Sequence, residues 1–417
     1  MTSSDGAPDL LTEPLAFGQR MQILRERRGM SRPVLGGLLG KSPSWVKQVE
    51  TGKLQLPKLP MILRIAEVLR VRDLADLTGD QSMSVEMFVG PGHARLPAVR
   101  DALNRFALPG DREAPNLPHL RARLDQAWSA RHSAPNHRDV IGALLPDLIL
   151  DARLATRQAE AATERRRAQS LLAETYALSQ FFLAYQPDSS LLWRVADRGM
   201  VAAQESEDPH AIGTAAWLLA QAHRDAGPRD FDAADDVNRA AIDYLRPLLA
   251  EADDRVLAIA GALDFELGYT AARRGASGTA WAHWDDARDK AGRLPAGYYH
   301  PVTSFGAAIM GAHAVTVAVE LHAGGESVRQ AARADTAVIP SHPRRARHRI
   351  EEARGYQLNG QPDVALATLE KANAAAPETI RYNGYARRII LEESEAKSPA
   401  RRRRAASLAT KVGLLAA

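Results

Sequence analysis

Residues 17–69, FGQRMQILRERRGMSRPVLGGLLGKSPSWVKQVETGKLQLPKLPMILRIAEVL, constrain the fold most, because the stretch carries its own punctuation. It predicts four short helices with a stop between each. The first covers about 17–28 and ends at Gly29. Ser31 opens the second, with Pro33 just inside, and Gly40 closes it. Ser42 opens the third, with Pro43 in the first helical position, and Gly52 closes it. The fourth covers about 59–71. Ser as N-cap, Pro just inside a start and Gly just past an end are the signals helices use. Only a residue or two around Gly40 separates helices two and three, which leaves room for a helix-turn-helix corner and little else.

The apolar spacing agrees. Met21 and Leu24, then Leu35, Leu38 and Leu39, then Val46 and Val49, then Ile62, Ile65, Ala66 and Leu69 recur at steps of three and four. They make a small closed core with the third helix outermost. Ser44, Trp45, Lys47, Gln48 and Thr51 are then its outward positions. Charge collects in the same place. Between Leu15 and Lys58 nine Lys/Arg stand against two acids, a net +7. The whole chain is only +4, so everything else together is −3. Positive charge concentrated on one small domain is the electrostatic footprint of phosphate contact. Gln48 is suited to bidentate pairing with adenine in the major groove. Read blandly, the Arg25, Arg27, Arg28 run is a solvated helix face.

The segment resembles the DNA-binding domain of the phage-repressor-like (Xre-type) regulators. The matching pieces are Leu35-Gly36-Gly37-Leu38-Leu39-Gly40, Ser42-Pro43-Ser44-Trp45-Val46, Gln48-Val49-Glu50-Thr51-Gly52-Lys53 and Ile65-Ala66-Glu67-Val68-Leu69. In that family the third helix enters the major groove. The resemblance implies that Pro43, Ser44 and Gln48 face base edges, and that Ser42, Thr51 and Lys53 lie near phosphates. With Arg32, Trp45 and Lys47 these are the candidate DNA-contacting residues. Where the family usually has Leu-Ala early in helix two, this chain has Gly36-Gly37, and each Gly costs about 1 kcal/mol against Ala.

Around this head, residues 1–14 are expected to be a disordered arm. The helix-turn-helix domain spans 15–80, closed by a short fifth helix near 73–77. Residues 81–116 are rich in Pro and Gly and are expected to be a linker, with a short extended piece at 85–89 and one helix within 97–106. From 117 to 417 the chain is rich in Ala, Leu and Arg, with helical periodicity almost to the end. Within residues 352–377, Tyr356, Ala365, Leu369, Ala372 and Pro377 stand at the spacings of the tetratricopeptide consensus. Weaker copies precede it, at Gly275, Ala280, Trp284 and Ala287 and at Ala234, Asn238 and Ala241. Helix pairs are predicted at about 168–204, 210–249, 255–292, 302–336, 345–375 and 378–414, preceded by helices at 117–130 and 137–160. The expected fold is all-α: a five-helix head and an α-solenoid of tetratricopeptide-like pairs. The pairing of the two parts, including the run 298–305, looks like a family of actinobacterial transcriptional regulators.

In comparable regulators of Gram-positive bacteria with this architecture the repeats bind a signalling peptide, which implies a repeat domain here that senses a peptide or small molecule. A homodimer is expected because one such head reads few base pairs, with the contact in the repeats or at 85–89. The candidate effector residues are Trp281, Tyr298, Tyr299, His300, Phe305, Asn383 and Arg387. Trp217, Phe265, Trp284 and His313 are further groove candidates, although aromatics at helical spacing inside repeats more often fill the core between them. Pro295, Gly297 and Pro301 place Tyr298–His300 in a loop. The basic runs 344–349 and 401–404 are expected to be solvated.

Other chemistries find little support. The chain has no Cys, so disulfides, thiolate metal sites and Cys nucleophiles are excluded. Gly40-Lys41-Ser42 mimics the tail of a phosphate-binding loop, but position 35 is Leu where that loop needs Gly. No HExxH or GxSxG occurs, and His132, His137, His342 and His348 are expected on the surface. No catalytic residue, metal or cofactor is predicted. The first 16 residues lack the features of a signal peptide, and no apolar run approaches the ~18 residues of a membrane helix. The expected partners are double-stranded DNA, a second copy of the chain and an effector, in the cytoplasm. The alternative is a repeat scaffold that recruits a protein partner and binds DNA weakly or without sequence preference.

Overall fold

Helix signals in the sequence become helices throughout the computed structural model, which describes residues 16–54, 57, 59–69, 71, 77, 92–105, 113–186 and 188–414. Every regular element among them is helical. The chain divides into two compact units, Met1–Phe88 and Val89–Ala417. The expected N-terminal arm, most of the fifth helix, the extended piece at 85–89 and residues 81–91 and 106–112 of the expected linker lie outside the described residues.

In the first unit, helices α1 (Phe17–Arg27), α2 (Arg32–Leu39), α3 (Pro43–Glu50) and α4 (Leu59–Val68) follow the predicted punctuation. Ser31 Oγ accepts the Val34 N–H at 3.4 Å, and Ser42 Oγ accepts the Trp45 N–H at 3.1 Å. Each satisfies an amide that the first turn of its helix leaves without a partner. Between α2 and α3 the chain turns through Gly40, left-handed at φ 63°, where an L side chain would be strained. Met21, Leu35, Leu39, Val46, Val49, Ile62, Ile65, Ala66 and Leu69 are buried in one cluster. Leu24 is half-buried at its edge, and Leu38 is half-buried too. Gly36 is buried where α2 meets the turn: a Cβ there would sit 2.7 Å from the Lys41 carbonyl oxygen. Gly37 faces open space.

The second unit begins with α5 (Leu96–Asn104), inside the stretch read as linker. Its Leu96, Val99, Ala102 and Leu103 are buried against the rest of the unit. Then come α6 (Leu117–Ser133), α7 (His137–Gln158), α8 (Ala162–Leu183), α9 (Ser189–Ser206), α10 (Pro209–Ala226), α11 (Phe231–Leu245), α12 (Asp254–Arg274) and α13 (Ser277–Gly292). The unit closes with α14 (Met310–Glu320), α15 (Gly324–Arg333), α16 (His342–Leu358), α17 (Pro362–Ala375), α18 (Pro377–Tyr382), α19 (Gly384–Ser394) and α20 (Pro399–Lys411). Consecutive helices pack as pairs: α8 on α9, α10 on α11, α12 on α13, α14 on α15, α16 on α17, α19 on α20.

The first helices of successive pairs also pack on one another, α8 to α10 to α12 to α14 to α16. This inner row has neighbours on both sides, so it is buried nearly all round, and α12 has buried residues from Val256 to Ala272. Small residues set the spacing. Ala365, Leu369 and Ala372 of the consensus repeat are fully buried, while Tyr356 is half-buried against the same cluster. Pro377 opens α18 instead of merely ending α17.

Packing within the second unit overturns two surface expectations. His137 and His348 are buried, and His132 and His342 are half-buried, so these are not surface histidines. The basic run at 344–349 is not a solvated face either. It lies on α16, which packs on α14, α15, α17 and α6, and Arg344, Arg345, Arg347 and Arg349 are only half-exposed.

Candidate nucleic-acid interface

Because Val46 and Val49 turn into the core of the first unit, the helical period of α3 leaves its other side outward. Pro43, Ser44, Lys47 and Gln48 are exposed on it, flanked by exposed Ser42, Thr51 and Lys53. Trp45 is half-buried against the core cluster, and Lys41 Nζ stands 5.8 Å from its ring centroid. Thr51 Oγ1 donates to the Lys47 carbonyl at 2.9 Å, tying down the C-terminal turn. Ser42 Oγ is taken up as the acceptor of the α3 cap.

Arg32 sits elsewhere in the scheme. Its Nε donates to Glu50 Oε2 at 2.6 Å, and Arg25 Nε donates to Glu50 Oε1 at 2.5 Å. Arg25 also donates to the Met30 carbonyl at 2.8 Å, joining α1, the loop and α3. The Glu50 side chain is 0 % exposed and that of Arg25 7 %, whereas Arg32 is 36 % exposed. The Glu50 hydrogen bond and charge raise the Arg25 pKa against the opposing effect of burial. Arg25 is therefore a strut, not part of a solvated run. The spacing held a clue: Arg25 falls one turn after the fully buried Met21. Arg32, Pro33, Pro43, Ser44 and Lys47 line one open groove beside this strut, so the exposed edge of Arg32 still faces the candidate surface.

In the second unit the candidate effector residues divide. Tyr298 and Tyr299 are half-buried in the loop after α13. His300 is fully buried beneath it. The Thr303 N–H donates to His300 Nδ1 at 3.1 Å, so the neutral ring carries its proton on Nε2, 2.8 Å from His210 Nε2. Burial, with His210 beside it, pushes the His300 pKa well below the usual value. Tyr299 Oη donates to Ser304 Oγ at 2.6 Å, and its ring meets His132 edge-on at 5.9 Å.

Phe305 is core: a Cβ on Gly261 would lie 2.3 Å from its ring. Trp217 and Phe265 are buried too, and Phe265 stacks on His313 at 3.6 Å. Trp281 is half-buried and pairs with Trp284 at 5.7 Å, and Trp284 Nε1 donates to the Met310 carbonyl. Asn383 is buried as the cap of α19, accepting from the Tyr385 and Ala386 amides. Arg387, half-buried, donates to the Arg381 carbonyl at 3.3 Å.

Residues 16–78 match the family model of a helix-turn-helix domain, so the first unit carries such a domain. No curated protein matches the chain in sequence. Among solved structures, PlcR of Bacillus thuringiensis in complex with the peptide PapR7 and DNA is 9 % identical, with a TM-score of 0.32 over 85 % of this chain and 98 % of that one. ComR of S. thermophilus, with DNA and its signalling peptide ComS, is 17 % identical, with a TM-score of 0.20 over 60 % of this chain and 99 % of that one. Scores this low do not establish a shared fold. No helix of the described residues is long and apolar enough to cross a membrane, and no group of three or more His, Asp or Glu among them could hold a metal ion.

Proposed function

We propose that the chain is a sequence-specific DNA-binding transcriptional regulator. Its head reads the major groove through α3, and its helical repeat unit senses a peptide or small molecule. The observation that carries this is the outward face of α3. Ser44, Lys47 and Gln48 are exposed on a capped helix whose opposite side is core, inside a helix-turn-helix domain that concentrates +7 of charge. Gln48 supplies the base-reading group, Lys47 and Lys53 the phosphate contacts, and Ser44 a small polar edge beside Pro43. A single such head reads few base pairs, so the working form is a homodimer on half-sites about 10 base pairs apart. The stacked helix pairs of the second unit are the part given the sensing role.

Substitution separates the roles. Gln48→Ala is expected to relax preference at one base position, by ~1–3 kcal/mol. Lys47→Ala is expected to weaken all sequences alike and reduce the salt slope by about 1. Footprints and salt titrations on a selected operator measure both. If neither substitution alters DNA binding, α3 is not the recognition helix.

A further inference from the structure

The charges inside the repeat unit do not balance everywhere. Toward α10, α12 and α14 every interior arginine finds a carboxylate. Arg224 pairs with Glu266, and Arg273 with Asp225 at 3.2 Å. Arg354 lies between Glu320 at 2.7 Å and Glu351 at 2.6 Å, and Arg347 pairs with Glu351. Burial alone would raise the Glu320 pKa, but Arg354 and Arg273 outweigh it and hold that carboxylate low. Such pairing is the normal condition of buried charge.

Where α16 returns to pack against α6, the pairing stops. Arg131 on α6 and Arg344 on α16 are half-buried, still reached by solvent, and among the described residues neither has a carboxylate within ion-pair distance. The Arg131 guanidinium lies over the Phe181 ring at 4.9 Å, with Nη1 buried and without a hydrogen-bond partner. Arg344 Nε is likewise buried and unpartnered, and its Nη2 stands 3.4 Å from His313 Nε2. His348, 4 % exposed, has both ring nitrogens buried without a partner, and His313, 2 % exposed, has Nδ1 so. His313 and His348 face each other at 5.9 Å. Nearby Arg138 differs, since Glu378 stands against it. Burial, with Arg138 and Arg344 adding repulsion, lowers the Arg131 pKa to about 10. Two cations, neutral imidazoles with unpartnered nitrogens, and the Tyr299 ring beside them form a cluster short of one thing, an anion.

We propose that this cluster is a binding site for the anionic group of a small effector, a carboxylate or a phosphate held between Arg131 and Arg344. It deepens the sensing role given to the repeat unit and rests on that reading for its biological meaning. Arginine suits both groups, because its planar fork offers paired N–H donors to two oxygens at once. His348 and His313 can donate to a remaining oxygen, each choosing the tautomer the ligand requires. The site lies where α16 packs against α6. An anion bridging Arg131 and Arg344 would therefore tie the two helices together.

The test uses the full-length protein, titrated by calorimetry with inorganic phosphate and separately with citrate, against chloride at matched ionic strength. Saturable binding of one or both is expected, and whichever binds at lower concentration identifies phosphate or carboxylate as the native group. Arg131→Gln and Arg344→Gln should each weaken it by about tenfold or more. Arg344→Lys, which keeps the charge, should keep more of it. Without added anion, both Gln variants should unfold at or above the wild-type temperature, because each removes an uncompensated charge. That readout shows that they fold, and a purely structural arginine would move it the other way. The proposal is overturned if neither anion binds wild type saturably, or if both Gln variants bind as wild type does. Binding that leaves operator affinity unchanged would support the site while removing its sensory role. Loss of DNA recognition by Gln48→Ala bears on the head alone.

Discussion

Glu50 decides whether the head holds its shape. It is the last residue of α3 and the one carboxylate both Arg25 and Arg32 reach. Removing one partner of a buried pair leaves the other as unpaired buried charge, which costs more than the pair contributes. Glu50→Ala should therefore destabilise the head by ~3 kcal/mol, read as faster amide hydrogen exchange in residues 17–68, with residues 254–274 unchanged. Arg32→Ala should cost far less, because Arg32 is partly solvated. Arg25 was legible only in hindsight. A run of three arginines reads as solvent-facing by composition, yet the step of four from Met21 points one of them inward. The same holds in α6, where Arg131 continues the spacing of the buried Leu124, Ala127 and Trp128. Charge type masks periodicity when an arginine occupies a position on the apolar face.

At the scale of the element, α2 shows that a sequence rule can hold at one residue and fail at its neighbour. Gly36 and Gly37 both lower helix propensity, but only Gly36 is required by packing. Gly37→Ala should stabilise the head by about 1 kcal/mol. Gly36→Ala should destabilise it, because the new methyl meets the Lys41 carbonyl oxygen and backbone must move. Urea unfolding of the two variants, followed through the head's amides, checks both signs. Helix caps and stops were the most legible feature of the chain, since Ser31, Ser42 and Gly40 act through local geometry. Helices of the repeat unit were legible in extent for the same reason. Which of them form the inner row was not. That follows from packing between residues far apart in sequence, and it is what buries His137, His313 and His348 and carries α5 into the core.

For the whole molecule, those buried imidazoles give the repeat unit a pH response. Burial holds His313 and His348 well below the usual value of 6.5, with Arg344 adding repulsion at both. Folded, they stay neutral; unfolded, they take up protons as pH falls below 6.5. The unfolded state then binds more protons, so stability is full above that pH and declines beneath it. Thermal unfolding between pH 7.5 and 5.5 should show a falling midpoint, and His348→Phe should flatten the slope. A slope unchanged in that variant would mean His348 contributes nothing to it. The positive charge stays local on the same scale: residues 15–58 carry a net +7, and all other residues of the chain together −3.

The central claim is that α3 reads sequence, and capture of genomic DNA fragments by the purified full-length protein at two salt concentrations tests it most directly. Sequence contacts add to the phosphate term and outlast it as salt rises. A shared inverted repeat, with half-sites about one helical turn apart, should dominate the captured fragments and persist at the higher salt. Unpatterned capture that disappears with salt would contradict the account, reducing the head to a phosphate-binding surface.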